Sequence, residues 1–305
     1  MLSVVIPVKD GGEGFRLCLA AIADQATDEE VEVIVVDSGS TDGTQEVARS
    51  MGARVHEIPA AEFNHGETRN LGARLAGGEI VVYTVDDALP VDASWLTSLT
   101  DPIRNDPSLA ATFGRHIPNE DAPPHQAFYI EQRYGTRPKT HTAESAANLP
   151  VAEVLFSNVS SAIRRDVLGE IPFAADIVIS EDAEWCARAL QAGHSVAYVP
   201  DAVVRHSHNY TLRDAVKRYF DLGAAAERSV LSGRENRSHG AWGEGVRYVR
   251  GEVGWMWRSG HRAQIPAAIA HEAARFAGYQ LGVRHGFVPG PIRRRISRTA
   301  VYWSR

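Results

Sequence analysis

Cysteine is scarce. Cys18 and Cys186 are the two in 305 residues, far apart and in no C-x-x-C or zinc spacing. That argues against a disulfide scaffold and a structural zinc site, and it is expected of a reducing compartment. The opening MLSVVIPVKDGGEG has no basic region followed by a long apolar stretch, so no signal peptide is expected. No run approaches ~18 continuous apolar residues, so no membrane-spanning helix is expected. Gly12-x-Gly14 is followed by Leu17 where a dinucleotide fingerprint needs its third glycine, and no P-loop occurs. There is no internal repeat and no low-complexity tract. What remains is the composition of an ordinary soluble enzyme, long enough for one large or two small domains.

Charge is unevenly distributed. The net value of −6 combines an acidic body and a basic end. Residues 205–305 hold 18 Lys+Arg and 7 Asp+Glu, a net +11, against −17 for residues 1–204. Such a basic tail either meets an anionic partner or forms a solvated helical face.

Short apolar runs alternate with helical patterns through the first third. Leu2–Val8, Val31–Val36, Ala53–Ile58 and residues 79–85 read as strands. Arg16–Ala23, a segment through Val47 and Ala48, and Thr68–Ala76 read as helices. Ser40 or Thr41 is placed to cap the second of these, and Gly77-Gly78 to stop the third. Alternation of this kind predicts a parallel, doubly wound sheet, with the tips of the first, second and fourth strands along one edge. Residues 116–150 have weak periodicity and read as a long functional loop. Residues 154–163 and His194–Val199 return to strand patterns, with a turn at Arg164-Arg165-Asp166. Between them, Ser180 to Ala192 reads as a helix with Gly193 behind it. From Leu212 onward the pattern is helical.

Four polar clusters fall at predicted element ends: Lys9-Asp10, Asp37-Ser38, Asp86-Asp87 and Glu181-Asp182. Asp86-Asp87 is the most informative, because an apolar strand ends there abruptly in two carboxylates. Open α/β sheets bind ligands at the carboxyl ends of their strands. Hard oxygen ligands at that place suit Mg²⁺ or Mn²⁺ together with substrate phosphates. Asp37 reads either as an acceptor for a base or ribose donor or as an Asx-type loop residue. Arg69, in Glu67-Thr68-Arg69-Asn70, reads as a cation near a base or diphosphate, or as a surface ion-pair member.

Val4-Val5-Ile6-Pro7, the Val36-to-Thr44 segment VDSGSTDGT, the Asp86-Asp87 turn and Ser180-Glu181-Asp182 together resemble inverting family 2 glycosyltransferases of the GT-A fold. The likeness covers residues 1 to about 210. Phe63-to-Asn70, Gly114-Arg115-His116-Ile117-Pro118, Phe156-Ser157-Asn158-Val159 and His206-Ser207-His208-Asn209-Tyr210 resemble the bacterial rhamnosyltransferase-like branch, which builds surface polysaccharide from dTDP-activated sugar. The fold implied is a Rossmann-like, mostly parallel sheet flanked by helices, here with a helical C-terminal extension.

The resemblance implies roles residue by residue. Pro7, Val8 and Lys9, with Asp37 and Arg69, would surround the nucleotide base; Asp86 would lie near ribose and diphosphate. Asp87 and His206 would ligate a divalent metal, and Asp182 would be the catalytic base. His65, Arg115, Glu181 and Trp185 are candidates on the sugar side, His65 with a structural loop role as its alternative and Trp185 with a core role as its alternative. The chain departs from the commoner acidic triplet at Ala88 and carries His116 where the branch often has Gln. The first departure leaves a metal with fewer protein ligands.

These residue types suit sugar transfer. A cation and Arg69 can offset charge on a leaving diphosphate, and a carboxylate can take the acceptor proton. Asp182 at a helix N-terminus is expected to stay ionised easily, with simple helix capping as the alternative. His206 and His208, if on a strand, would point to one face.

The expected organisation is a nucleotide-sugar-binding half at 1–115, an acceptor-side half with the base at 116–210, and a helical basic region at 211–305. Expected partners are a dTDP- or UDP-sugar donor and a saccharide or lipid-linked acceptor, with no nucleic acid. Aromatic residues among arginines, at Val246–Trp257, Ile292–Arg298 and Val301–Trp303, suit a bilayer surface with anionic headgroups. The expected location is the cytoplasm, peripheral on the inner face of the plasma membrane. Rival readings are a UDP-hexose donor, a non-catalytic nucleotide-sugar-binding subunit, and a nucleotidyltransferase, which lacks its expected Gly/Lys-rich loop. Three N-x-S/T sequons, at Asn158, Asn209 and Asn236, carry little meaning without a signal peptide.

Overall fold

The first strand, β1, spans Leu2–Val8 and is buried along almost its whole length. In the structure, a computed structural model describing residues 1–142, 144, 156–228 and 241–304, this strand lies deep in a nine-stranded sheet. The chain continues through α1 (Gly12–Ala23), β2 (Val31–Asp37), α2 (Thr44–Ser50), β3 (Arg54–Glu57), α3 (His65–Leu75), β4 (Ile80–Thr84) and β5 (Leu89–Pro90). Next come α4 (Trp95–Asn105), β6 (Leu109–Ile117), α5 (Pro124–Arg133), β7 (Lys139–His141), β8 (Ser160–Arg164), α6 (Arg165–Glu170), α7 (Glu181–Gln191) and β9 (Ser195–Arg205). Among the described residues that follow are the α-helices α8 (Leu212–Arg228), α9 (Ala241–Arg258), α10 (Ile265–Val283) and α11 (Gly290–Ile296).

The strand order is β3-β2-β1-β4-β8-β6-β9-β5, with β7 on β9. The expected parallel arrangement holds across β3, β2, β1 and β4. Beyond β4 the sheet is mixed: β8 runs antiparallel to both β4 and β6, while β6 and β9 are parallel. Parallel strands require crossover helices on the faces, which is why β1 and β4 read as continuous apolar runs. On one face Phe15, Cys18, Leu19 and Ile22 of α1 form an i, i+3, i+4, i+7 stripe. It packs with Trp95, Leu96, Leu99 and Ile103 of α4 against Leu2, Val4, Ile6 and Val82. Both cysteines are free and buried.

Several local expectations change. α1 begins at Gly12, ahead of Arg16, because Phe15 already belongs to the buried stripe. α2 is not capped by Ser40 or Thr41. It starts after Gly43, whose φ of 91° supplies the turn, and it has no side-chain cap. Ser40 Oγ instead accepts from the Asp10 N–H (2.8 Å), and the Thr41 N–H donates to Asp10 (2.8 Å). The 116–150 stretch contains the end of β6, all of α5 and β7, and its remainder at 143 and 145–150 lies outside the described residues. In the 154–163 pattern, ladder pairing starts at Ser160; residues 154–155 and Asn236 also lie outside the described residues. Arg164-Arg165-Asp166 opens α6 rather than forming a free turn. β9 runs on to Arg205 and stops there, so His206 and His208 are not on a strand.

The backbone divides into two compact units: Met1–Ile117 with Tyr134–Ala175 and Glu181–His206, and Pro118–Arg133 with Asp176–Ser180 and Ser207–Arg305. The first holds the whole sheet. In the second, α8 and α10 cross closely because Gly223, Gly278 and Gly282 leave room for the opposing backbone at Tyr279, Val216 and Phe220. Arg275 is its polar hub. It pairs with Glu272 (2.6 Å), donates to Gln126 (3.0 Å) and lies over the Tyr129 and Tyr219 rings. No helix among the described residues is long and apolar enough to cross a membrane.

On the second face of the sheet, α3 lies against β1 at Gly72, where an added Cβ would collide with the Val5 side chain. Gly72→Ala is therefore expected to lower stability by about 1–3 kcal/mol, the usual cost of overpacking. Urea unfolding checks it; an unchanged midpoint would show that the helix can shift.

Candidate active site

The parallel half of the sheet brings the C-terminal ends of β1, β2 and β4 to one edge. After β1, Pro7 is half-buried, Val8 buried and Lys9 exposed. At the end of β2, Asp37 is fully buried. Its Oδ1 accepts from the Gly39 and Ser40 N–H groups (3.0 Å each) and from Gln45 Nε2 (2.8 Å). Burial opposes ionisation, but the hydrogen bonds from Ser40, Gln45 and Gly39 outweigh it and hold the carboxyl below its ordinary pKa. The other oxygen, Oδ2, is buried with no hydrogen-bond partner.

After β4 the chain turns through Asp86 and Asp87, with the Ala88 N–H returning to the Val85 carbonyl (3.2 Å). Asp86 is half-buried and Asp87 exposed. Burial, reinforced by the Asp87 charge, pushes the Asp86 carboxyl up to about 6. Ala88 is fully buried within the main core, so the turn seats a small apolar residue where the commoner pattern has a third carboxylate. The exposed Asp87 Oδ1 lies 3.4 Å from His206 Nε2. His206 directly follows β9 and is fixed by its N–H to the Ile117 carbonyl (3.0 Å). Beside it His116 packs edge-on (5.8 Å between centroids), itself stacked on Tyr134 at 4.0 Å. An oxygen and an imidazole nitrogen this close, next to a second carboxylate, fit a hard divalent cation. Asp87 and His206 are the first-unit residues that could hold one.

The second carboxylate group reaches the same edge through β8. Thr84, last in β4, pairs with Ser160, first in β8, and its hydroxyl donates to the Val159 carbonyl (3.0 Å). One residue earlier, the Asn158 N–H donates to Asp182 Oδ2 (3.3 Å). Asp182 Oδ1 accepts from the Ala183 N–H (2.8 Å) at the start of α7. The strand tip that leads into Asp86-Asp87 thus adjoins the loop that holds Asp182.

Asp182 does not ionise as easily as the helix terminus alone implies. Burial raises its pKa, and the neighbouring Glu181 charge raises it further, with Arg69 opposing. Glu181 itself is buried in an ion pair with Arg69 (2.9 Å), both side chains under a tenth exposed. Arg69 also donates to the His65 carbonyl (3.2 Å), and the Tyr83 hydroxyl donates to the Arg69 carbonyl (3.1 Å). α3 is seated by Asn64, which caps it by accepting from the Glu67 N–H (2.9 Å). Asn70 then makes two 2.9 Å bonds with the Phe173 backbone.

Other expected site residues separate. Trp185 is fully buried, donates to the Ile171 carbonyl (2.7 Å) and packs with Phe156 and Phe173. It is a core residue and offers no platform to a sugar. His65 is half-buried at the start of α3, edge-on to Phe63. Arg115 is half-buried on β6, where its charge acts on Tyr198. Gln45 and Tyr134 stood in no motif, while Asn64 and Asn70 stood inside the Phe63-to-Asn70 motif, where their work is to cap α3 and to bind the Phe173 backbone. Asn158 stood inside a quoted motif, but its contribution is a backbone N–H that residue identity does not reveal.

Comparison with known proteins decides the class. The model of glycosyl transferase family 2 matches residues 3–171, more than half of the chain. The protein belongs to glycosyl transferase family 2. This family 2 glycosyltransferase is 33% identical over 306 residues to the O-antigen chain rhamnosyltransferase RfbN of Salmonella typhimurium, covering 99% of this chain and 96% of that protein. To the O-antigen chain rhamnosyltransferase WbaN of Salmonella anatum it is 34% identical, over 91% of this chain and 88% of that one. Among solved structures, the mannosyltransferase PcManGT from Pyrobaculum calidifontis, in complex with GDP-Man and Mn²⁺, superposes with a TM-score of 0.63 at 18% identity. That match covers 92% of this chain and 86% of that one. At such identity it establishes the fold, and the expected GT-A architecture with a helical C-terminal region is present.

The Arg69–Glu181 pair yields a direct test. Arg69→Met leaves Glu181 charged, buried and alone, and should cost about 3–5 kcal/mol. Arg69→Met with Glu181→Leu should recover most of that loss. Thermal unfolding of the three variants measures it; an additive double variant would show that the two side chains do not interact.

Proposed function

We propose that the protein transfers L-rhamnose from dTDP-rhamnose, with inversion, to a hydroxyl of a lipid-linked saccharide during assembly of a bacterial surface polysaccharide. The observation carrying this reading is the 33–34% identity to two O-antigen chain rhamnosyltransferases along nearly the whole chain, helical region included. In this reading residues 1–115 form the donor side and 116–210 the acceptor side, with the protein at the cytoplasmic face of the membrane.

The donor nucleotide lies along the ends of β1 and β2. The unpartnered, buried Oδ2 of Asp37 accepts from the base, whose neighbours are Pro7, Val8 and Lys9. Arg69 places a positive charge behind the diphosphate while holding Glu181. Asp86 faces the ribose and diphosphate. Asp87 and His206 hold Mg²⁺ or Mn²⁺, and such an ion, when bound, offsets charge on the departing diphosphate. His65 and Arg115 border the sugar. Asp182 accepts the proton of the attacking hydroxyl. Its raised pKa suits that task, because a stronger base takes a proton more readily late in the transition state.

Four outcomes test this reading. Nucleotide release across a panel of dTDP-, UDP- and GDP-sugars should be fastest with dTDP-rhamnose; preference for a UDP-hexose would replace the donor while keeping the enzyme. Asp182→Asn should lower kcat by about 10²–10⁴-fold, whereas retained turnover would remove Asp182 as base. Since the raised pKa means that Asp182 gains its proton at higher pH than an ordinary carboxyl, kcat/KM should fall on the acid side with a midpoint above that of an ordinary aspartate. His206→Ala should raise the Mn²⁺ concentration needed for half-maximal donor binding by about 10–100-fold, read by isothermal titration with dTDP.

A further inference from the structure

Of the aromatic anchors expected in the basic tail, Trp257 is exposed beneath the Arg262 guanidinium, and the others are half-buried against partners. Trp303 packs on Phe220 and His285, Tyr302 donates to the Asp176 carbonyl, and Trp255 packs on Phe128 and His261. Phe287 is 92% exposed, on a 3₁₀ turn spanning His285–Phe287 between α10 and α11. Its neighbours Leu281, Val283 and Ile292 are also exposed apolar side chains, and Arg284, Arg294 and Arg295 are exposed among them. From residue 273 to the end the chain has seven arginines and no Asp or Glu.

The turn is built rather than loose. His285 is buried, its ring within hydrogen-bond distance of the Gly282 carbonyl (3.1 Å) and packed on Trp303. Arg293 donates to the Val288 carbonyl (2.7 Å) and lies over the Trp303 ring. These contacts hold the corner inward, and Phe287 projects from it. A fixed, fully solvated phenylalanine among arginines fits a partner that is apolar inside and anionic at its surface. Nucleic acid offers the charge without the apolar layer, and a protein groove would need an acidic lining as well as a pocket.

We propose that residues 281–295 dock the protein on a bilayer carrying anionic phospholipid, Phe287 entering the headgroup–acyl boundary and Arg284, Arg294 and Arg295 meeting phosphates. The inference rests on reading the acceptor as lipid-linked, but vesicle flotation reads it without turnover. The full chain should float with phosphatidylcholine–phosphatidylglycerol vesicles and stay behind with phosphatidylcholine alone. Each arginine near an anionic surface contributes roughly a fivefold gain, so Arg294→Gln with Arg295→Gln should weaken vesicle binding about 30-fold at low salt. Phe287→Ser should weaken it at least about tenfold. Both variants should release nucleotide from the donor in vesicle-free solution at the wild-type rate, which separates loss of docking from failure of the enzymatic reading. Equal absence of wild-type protein from both vesicle types would overturn the proposal. So would variants that float as well as wild type, or retention on duplex DNA with no vesicle binding.

Discussion

The buried ion pair between Arg69 and Glu181 joins two parts of the chain that must be registered for the site to exist. Arg69 belongs to the helix seated over β1, and Glu181 opens the helix that carries Asp182. Removing two charges from water is costly, and their mutual attraction offsets that cost only when both are held in place. Here Tyr83, Asn64 and Asn70 hold the Arg69 helix, and Asn158 holds the residue after Glu181. The pair also tunes Asp182. Glu181 raises its pKa and Arg69 lowers it, so moving either charge changes the basicity of the carboxylate beside them.

Around that pair the sheet edge sorts its carboxylates by environment. Asp37 is buried but saturated with donors on one oxygen, and it stays acidic. Asp86 and Asp182 are half-buried with a carboxylate neighbour, and both become harder to ionise. Asp87 is exposed and sits against an imidazole. Three kinds of task, namely accepting from a neutral donor, gripping a cation and taking a proton, need those three environments.

The first half of the fold was legible because its strands are buried on both faces. Leu2–Val8, Val31–Asp37 and Ile80–Thr84 are short apolar runs closed by turn residues, and a buried parallel strand has no other way to look. Strand direction beyond β4 was not legible, since nothing local in Ser160–Arg164 tells whether it runs with β4 or against it. Helix α5 was hidden inside a segment rich in Pro and His whose apolar residues find their partners in the C-terminal helices, as Phe128 does with Tyr248 and Trp255. Ser40 and Thr41 looked like caps because short polar side chains cap helices locally; a tertiary bond to Asp10 took precedence. The candidate site residues could be picked out by their positions at element ends. The raised pKa of Asp182 could not, because a helix N-terminus can be read from sequence while burial beside Glu181 cannot.

A crystal structure of the protein with dTDP and Mn²⁺ tests the central claim most directly, that one sheet edge holds the donor and the base together. The account predicts the cation bound by Asp87 and His206, the base within hydrogen-bond distance of Asp37 Oδ2, and the Asp182 carboxylate open to the side of the diphosphate away from the nucleotide. A nucleotide bound elsewhere, or an Asp182 carboxylate walled off from it by protein, would contradict the account.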